Sequence, residues 1–154
     1  MMSQKQIFDK ILSQIREKIN SENNRDSSLQ FICTILKDNV EHYNWVGFYL
    51  TEGADNLVLG PFSGAPTVHT RIKFGIGICG QAAETKRIFI VQDVSKELNY
   101  LSCSPTVKSE IVLPILKTGN VVGELDIDSH KIAPFTDDDK EFLLRICSMV
   151  VKYF

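Results

Sequence analysis

The segment SEIVLPILKTGNVVGELDID, residues 109–128, restricts the possible folds more than any other part of the chain. Two runs rich in branched apolar residues flank the bend TGN, a pattern typical of a β-hairpin. Asp126 and Asp128 lie two residues apart and share one face of the second strand, while the apolar residues beside them share the other face. The sequence therefore predicts an antiparallel sheet with one face directed into a core.

The length of the bend decides which residues of the hairpin face each other. If TGN is a three-residue loop, residue 117 faces residue 121, and Glu110 then lies directly opposite Asp128. A two-residue loop would shift the register by one residue and scatter the carboxylates. The three-residue loop is favoured because it places the inward-facing apolar residues on one face: Ile111, Leu113, Ile115, Leu125 and Ile127.

In this register Glu110, Asp126 and Asp128 form a patch of three carboxylates. Like charges repel, so at least one of the three is expected to be protonated at neutral pH and able to donate a hydrogen bond. Three interpretations stay open at this point. The patch is a solvated acidic face of the sheet, a divalent metal site, or a site for a polar ligand or acid–base chemistry.

The rest of the chain predicts helices around this sheet. An N-terminal helix is indicated by an apolar stripe of Ile7, Phe8, Ile11, Leu12, Ile15 and Ile19. After the break SENNRDSS a second helix follows, and a last helix begins at Thr136, whose hydroxyl can cap it. WVGFYL, LVLG, Val68–Ile72 and IFIV are predicted strands, and GIGICGQAAETK is a glycine-rich entry into a short helix. Residues 93–108 are predicted to be a long loop.

This order predicts a single α+β domain over residues 1–154, with a mostly antiparallel central sheet and the N- and C-terminal helices packed on it. A net charge of -2 gives no basic surface for nucleic acid or an anionic membrane. No apolar run is long enough to span a bilayer, and MMSQKQIFDKILSQ lacks the apolar core of a secretory signal. We therefore expect a cytoplasmic protein.

The four cysteines show no CxxC spacing, so neither a zinc site of that type nor a thioredoxin-type motif is indicated. Cys33 and Cys147 lie on or beside apolar helix stripes and are predicted to be structural. Cys103 lies in the irregular segment YLSCSPTVK, which favours an exposed and reactive thiol. Cys79 lies at the start of the short helix, where the helix dipole would favour a thiolate.

In the strand WVGFYL, Trp45, Gly47 and Tyr49 share one face. Two aromatic residues four positions apart can form the wall of an apolar pocket, although most such residues are simply part of a core. The strand pattern alone leaves both interpretations open.

These motifs together resemble the free methionine-(R)-sulfoxide reductases, which are stand-alone GAF domains. The resemblance rests on WVGFYL, LVLGPFSGAP, TRIKFGIGICGQAAET, the stretch from Cys103 to SEIVLPI, and VVGELDIDS. It implies that Cys103 is the attacking thiol and that Cys79 matches the middle cysteine of the family's usual three. It further implies that the substrate is held by Glu110, Asp126 and Asp128 through its sulfoxide oxygen and amino group, and by Trp45 and Tyr49 around its methyl group.

One position departs from the family. The first cysteine of these enzymes, a usual disulfide partner of the catalytic cysteine, is replaced here by His69. The departure leaves the resolving thiol open between Cys79 and an external thiol, and His69 is either a neighbour that stabilises the Cys103 thiolate or a polar surface residue.

The resemblance thus implies reduction of free methionine (R)-sulfoxide through a cysteine sulfenic acid, as part of antioxidant repair. Thioredoxin or a small thiol would be the reductant, no cofactor or metal would be needed, and a homodimer is expected. The alternative is a ligand-binding GAF module, a degenerate reductase that binds methionine or a related molecule without turnover. A metal-binding protein is a third possibility.

Overall fold

The computed structural model describes residues 1–102 and 104–154 and confirms the α+β class. Four helices are formed: α1 (Gln4–Ser21), α2 (Arg25–Asn39), α3 (Gly77–Thr85) and α4 (Asp137–Val150). Six strands are formed: β1 (Trp45–Glu52), β2 (Asn56–Ser63), β3 (Arg71–Lys73), β4 (Phe89–Val91), β5 (Ser109–Lys117) and β6 (Asn120–Ser129). Short 3₁₀ turns cover Val94–Lys96 and Val151–Tyr153.

The six strands form one sheet in the order β3-β2-β1-β6-β5-β4, and all neighbouring strands are antiparallel. The predicted hairpin, β5–β6, therefore lies inside the sheet, with β4 next to β5 and β1 next to β6. Both edge strands are only three residues long, which limits the unpaired backbone that an edge presents.

One face of the sheet is covered by α1, α2 and α4, and the apolar stripes predicted for these helices lie buried there. Phe8 of α1 stacks on Phe142 of α4 with ring centroids 3.9 Å apart. The predicted start of the last helix is confirmed, since Thr136 is the N-cap and its backbone N–H donates to Asp139. Cys33 and Cys147 are buried in this core, as expected for structural cysteines.

The opposite face of the sheet is covered by α3 and the loops around it, over a second and smaller apolar cluster. Alternation along β1 divides its residues between the two layers. Val46 and Phe48 belong to the large core, whereas Trp45 and Tyr49 belong to the small cluster. The candidate functional residues therefore lie on the side of the sheet away from the three long helices.

The hairpin bend differs from its prediction. Lys117 pairs with Asn120, so the loop has two residues, and Thr118 and Gly119 both have positive φ values of 51° and 82°. Positive φ at both central residues is the requirement of a type I′ turn, whose twist matches that of the flanking strands. A register shift between Ile115 and Leu116 then compensates for the missing loop residue.

Two further differences are small. The strand expected over Val68–Ile72 forms only at Arg71–Lys73, because the residues before it belong to a loop that packs over the aromatic face of β1. The predicted loop from Asp93 to Lys108 contains the 3₁₀ turn Val94–Lys96. Within the described parts of the chain, no helix combines the length and apolarity needed to cross a membrane.

Candidate functional site

The predicted carboxylate patch exists and is buried. Glu110 pairs directly with Asp128 across the hairpin, and Asp126 is the next residue on the same face. The side chains are not solvated, since Glu110 is 6% exposed and both aspartates are 4% exposed. The interpretation as a solvated acidic face is therefore wrong, because α3 and its loops cover this side of the sheet.

A fourth carboxyl group, Glu124, belongs to the same patch and was not predicted. It precedes Asp126 by two residues on β6, and it is completely buried. The i, i+2 alternation that grouped Asp126 with Asp128 applies equally to Glu124, so the signal was present in the sequence. Among the residues that the structure describes, neither carboxyl oxygen of Glu124 has a hydrogen-bond partner.

Burial changes the acidity of this patch. Desolvation raises the pKa of Asp126, and desolvation together with the Asp126 charge raises the pKa values of Glu124 and Asp128 well above their ordinary range. A low dielectric disfavours the charged carboxylate, and each nearby negative charge adds to the effect. The patch therefore holds protons at pH values where exposed carboxyl groups are ionised, as the crowding of carboxylates in the sequence predicted.

Cys79 lies in the first turn of α3, with its thiol pointing at the patch. Its Sγ donates to Glu110 Oε2 over 3.8 Å. Burial raises the pKa of this thiol well above its ordinary value, and the charges of Asp126, Glu124 and Glu110 raise it further. The predicted thiolate is therefore wrong. A helix dipole contributes about 1 kcal/mol or less at most sites, which is less than about one pKa unit. Full burial can shift a pKa by up to about 3–5 units.

Trp45 and Tyr49 lie on the same face of β1, as predicted, and both are held by the loop that follows β2. The Trp45 indole N–H donates to Ala65 O over 2.9 Å, and the Tyr49 hydroxyl donates to His69 O over 2.8 Å. Trp45 also stacks on Phe62 with ring centroids 5.6 Å apart. The polar atoms of both rings thus form hydrogen bonds to the loop after β2, and the ring faces form a fixed apolar wall.

A cavity of about 20 Å³ lies between Tyr49 and the carboxyl groups of Glu110 and Asp126. It is lined by Tyr49, His69, Ile72, Gly77, Ile78, Cys79, Leu101, Glu110 and Asp126. That volume holds about one water molecule, so a ligand of amino-acid size enters only if the covering residues move. Four of the predicted site residues meet here; Trp45 and Asp128 pair with each other beside the cavity without lining it.

The cavity is closed by two loops that contact each other. His69 Nε2 lies 3.0 Å from Ser102 O, which joins the loop after β2 to the segment before β5. The side chain of Asn99 fixes the same segment to the start of α3, accepting from Gly77 N and donating to Gly75 O at 2.8 Å each. Cys103, predicted to be the attacking thiol, follows this segment and lies outside the described residues.

Glycine is required where the covering segment contacts α3. Gly77 has a φ of +67°, and a Cβ there would lie 2.9 Å from Leu101 Cγ. A larger residue would be strained in its backbone and would also displace the side chain that covers the cavity.

Chemically, the site combines a buried thiol, protonated and ionisable carboxyl groups, and an aromatic wall within one small cavity. Such a site can hold a cationic group against a carboxylate and deliver a proton from a carboxylic acid, and it excludes bulk water while doing so.

The chain matches known proteins over almost its whole length. The family model of the GAF domain matches residues 5–152. GAF domain-containing protein A of Dictyostelium discoideum is 39% identical over 148 residues, covering 96% of this chain and 92% of that protein. Free methionine-R-sulfoxide reductase of Saccharomyces cerevisiae is 37% identical over 138 residues, covering 88% and 76%. The X-ray structure of free methionine-R-sulfoxide reductase from Neisseria meningitidis in complex with its substrate matches with a TM-score of 0.90 at 35% identity, covering 96% and 87%.

Proposed function

We propose that this chain, which belongs to the GAF domain family, is an enzyme that reduces free methionine (R)-sulfoxide to methionine. One observation carries the proposal: the small closed cavity in which the thiol of Cys79 meets Glu110 and Asp126 beside the ring of Tyr49. The relatives in yeast and Neisseria support it, because both are free methionine-R-sulfoxide reductases and are 37% and 35% identical to this chain.

In the proposed first step, the Cys103 thiolate attacks the sulfoxide sulfur, and the oxygen is transferred to Cys103. Methionine leaves as the thioether, and Cys103 becomes a sulfenic acid, so the sulfur of the substrate is reduced by two electrons and that of the cysteine is oxidised by two. The sulfoxide oxygen must be protonated during the attack. A carboxyl group whose pKa is raised, such as Asp126 or Asp128, is suited to donate that proton.

Recognition of a free amino acid follows from the same carboxyl groups. An ammonium group in the cavity would neutralise one buried carboxylate of Glu110 or Asp126, whereas the amide of a peptide-bound residue has no charge to offer. The methyl group of the substrate would lie against the wall formed by Trp45 and Tyr49.

In the proposed second step, a thiol condenses with the Cys103 sulfenic acid, forming a disulfide and releasing water. Cys79 is our candidate for this thiol, with an external thiol as the alternative. Because Cys79 is buried among carboxyl groups, it must first lose its proton, and Glu110 at 3.8 Å is the acceptor in place. Thioredoxin or a small thiol would then reduce the disulfide, in a reducing compartment such as the cytoplasm, and we expect the active form to be a homodimer.

The first experiment measures turnover of free methionine (R)-sulfoxide, with the S epimer as the control. Dithiothreitol and thioredoxin serve as reductants in separate assays. R-selective turnover with both supports the enzyme and its cycle. Turnover with dithiothreitol alone keeps the reductase and excludes thioredoxin as its reductant, while no turnover with either reductant contradicts the proposal.

Two variants test the assigned roles. Cys103→Ser should abolish turnover with either reductant, and full activity in this variant would overturn the assignment of the attacking thiol. Asp126→Asn should lower kcat/KM by about 10²–10⁴-fold, the usual contribution of a positioned acid or base. The matched control is Asp38→Asn on the exposed side of α2, which should leave kcat/KM unchanged.

Cys79→Ser tests the resolving step separately. We expect thioredoxin-driven turnover to fall while dithiothreitol-driven turnover continues, because a small thiol can reach the sulfenic acid directly. Unchanged turnover with thioredoxin would exclude an essential resolving role for Cys79.

A binding module without turnover is the second candidate function. It is favoured by one observation, that the thiol of Cys79 is buried and held protonated, which is the state of least nucleophilicity. Calorimetry that detects binding of methionine or its sulfoxide, in a protein without turnover, would favour this alternative over the enzyme.

A further inference from the structure

The cavity brings together three groups that are ligands of metal ions in other proteins. Cys79 Sγ, one oxygen of Glu110 and one oxygen of Asp126 all lie within 4.8 Å of one another, and all three residues are buried. They come from three different elements, α3, β5 and β6, so the fold and not local sequence sets their geometry. We propose that this cluster, with the buried carboxyl group of Glu124 beside it, is a binding site for one Zn²⁺ ion.

The independent support comes from buried oxygens without partners. Both carboxyl oxygens of Glu124 and Oδ1 of Asp126 are buried without a hydrogen bond of normal geometry to any residue that the structure describes, although the Cys79 thiol interacts with both carboxyl groups. Buried polar groups in native proteins are normally paired, and leaving them unpaired is costly. Glu124 also lies close enough to Cys79 to interact with its thiol electrostatically. A cation bound between these groups would satisfy them together.

The donor set selects zinc over the hard cations. Ca²⁺ and Mg²⁺ take six or more oxygen ligands and do not favour a thiolate. Zn²⁺ takes four ligands at about 2.3 Å for sulfur and about 2.0–2.2 Å for carboxylate oxygen, which places neighbouring donors roughly 3.4–3.7 Å apart in a tetrahedron. The 3.8 Å separation between Cys79 Sγ and Glu110 Oε2 is slightly longer than this spacing. Cys79, Glu110 and Asp126 would supply three of the four positions and a water molecule the fourth, with Glu124 accepting hydrogen bonds from that water.

Zinc in this position would occupy carboxyl groups that the proposed function assigns to the substrate. Resting on that proposed function, we infer that Zn²⁺ inhibits the reductase competitively with methionine sulfoxide. Binding of the ion itself does not depend on the proposed reaction.

The test uses Co²⁺ as a spectroscopic probe for Zn²⁺, in the full-length Cys103→Ser variant after removal of metals with a chelator. In this variant Cys79 is the cysteine assigned to the site. We expect a thiolate-to-cobalt charge-transfer band together with the visible bands of tetrahedral Co²⁺, and both should disappear when Zn²⁺ is added. Absence of these bands would overturn the proposal.

Further substitutions in the same background locate the site. Cys79→Ser should abolish the charge-transfer band, and Glu124→Gln should weaken Co²⁺ and Zn²⁺ binding by at least about tenfold. The matched control is Cys33→Ser, which alters a buried cysteine on the other side of the sheet and should leave binding unchanged. A band that survives Cys79→Ser, or equal binding in the Glu124→Gln variant, contradicts the assignment.

Zinc inhibition of the wild-type protein then tests the link to activity. If turnover is observed, the inhibition constant for Zn²⁺ should rise with substrate concentration and should be weaker in Glu124→Gln. If no turnover is observed, the proposed function fails on its own assay, and the cobalt spectra still decide whether the metal site exists. The inhibitory role would be refuted if turnover were unaffected by Zn²⁺ at a concentration that fully displaces Co²⁺ from the site.

Discussion

Replacing Glu124 by Gln should remove part of the pH dependence of the protein's stability. Burial, reinforced by the neighbouring Asp126 charge, raises the pKa of the Glu124 carboxyl group well above its ordinary value. The folded protein therefore keeps a proton on Glu124 at pH values where the unfolded chain has released it. Above the ordinary pKa of glutamic acid, a rise in pH then stabilises the unfolded state and lowers the free energy of unfolding.

The magnitude follows from proton linkage. Between the unfolded and folded pKa values of one group, each pH unit changes the free energy of unfolding by about 1.4 kcal/mol. Two pH units within that interval amount to about 2.8 kcal/mol, a large fraction of the stability of a typical domain. The variant carries a neutral amide of nearly the same size at this position and does not titrate. The stability of the wild type relative to Glu124→Gln should therefore fall as pH rises, by about 1.4 kcal/mol for each pH unit within that interval.

The assay is urea unfolding of metal-free protein at a series of pH values from 5 upward, followed by circular dichroism. The matched control is Glu17→Gln on the exposed face of α1, whose stability relative to the wild type should not change with pH. A difference between wild type and Glu124→Gln that stays constant across this range would refute the reasoning. It would mean that Glu124 is ionised in the folded protein.

Two further substitutions separate the two faces of the sheet. Gly47→Ala should destabilise the fold by about 1–3 kcal/mol and raise KM more than it lowers kcat, because the new Cβ would lie 2.3 and 2.6 Å from ring atoms of Trp45; unchanged KM in steady-state kinetics would contradict a role for that wall. Tyr43→Phe should lower the free energy of unfolding by about 1.5–3 kcal/mol, because it removes a 2.6 Å hydrogen bond to buried Asp139. Since Tyr43 lies in the large core away from the cavity, an altered KM in this variant would contradict the separation.

The sequence predicted most of this fold because its signals are periodic. The apolar stripes of α1 and α4 and the alternation in β1, β5 and β6 each follow from the geometry of one element. The turn between β5 and β6 was predicted with one residue too many, and the carboxylates were nevertheless paired correctly. A register shift between Ile115 and Leu116 restores the same alignment, since a one-residue slip would turn one of the two strands over and move its apolar residues out of the large core.

The sequence predicted which residues belong to the candidate site, but it did not predict how deeply they are buried. Position in the strand placed Asp126 and Asp128 on one face, but their burial depends on α3 and on loops distant in sequence. For the same reason the sequence suggested a thiolate at Cys79, where only the helix end was visible. Burial of the Cys79 thiol, reinforced by three carboxyl groups from β5 and β6 opposite that helix end, raises the thiol pKa by more than the dipole lowers it.

The burial of these carboxyl groups explains why the site should favour a cationic ligand. In the ligand-free protein, ionised Asp126 or Glu124 would be a buried charge with unpartnered oxygens, so protonation relieves part of the cost. A ligand that brings positive charge into the cavity relieves the same cost without a proton. Binding of such a ligand therefore raises the free energy of unfolding above that of the ligand-free protein. The ammonium group of a free amino acid and a divalent cation meet this requirement in the same place, which is why they are expected to compete.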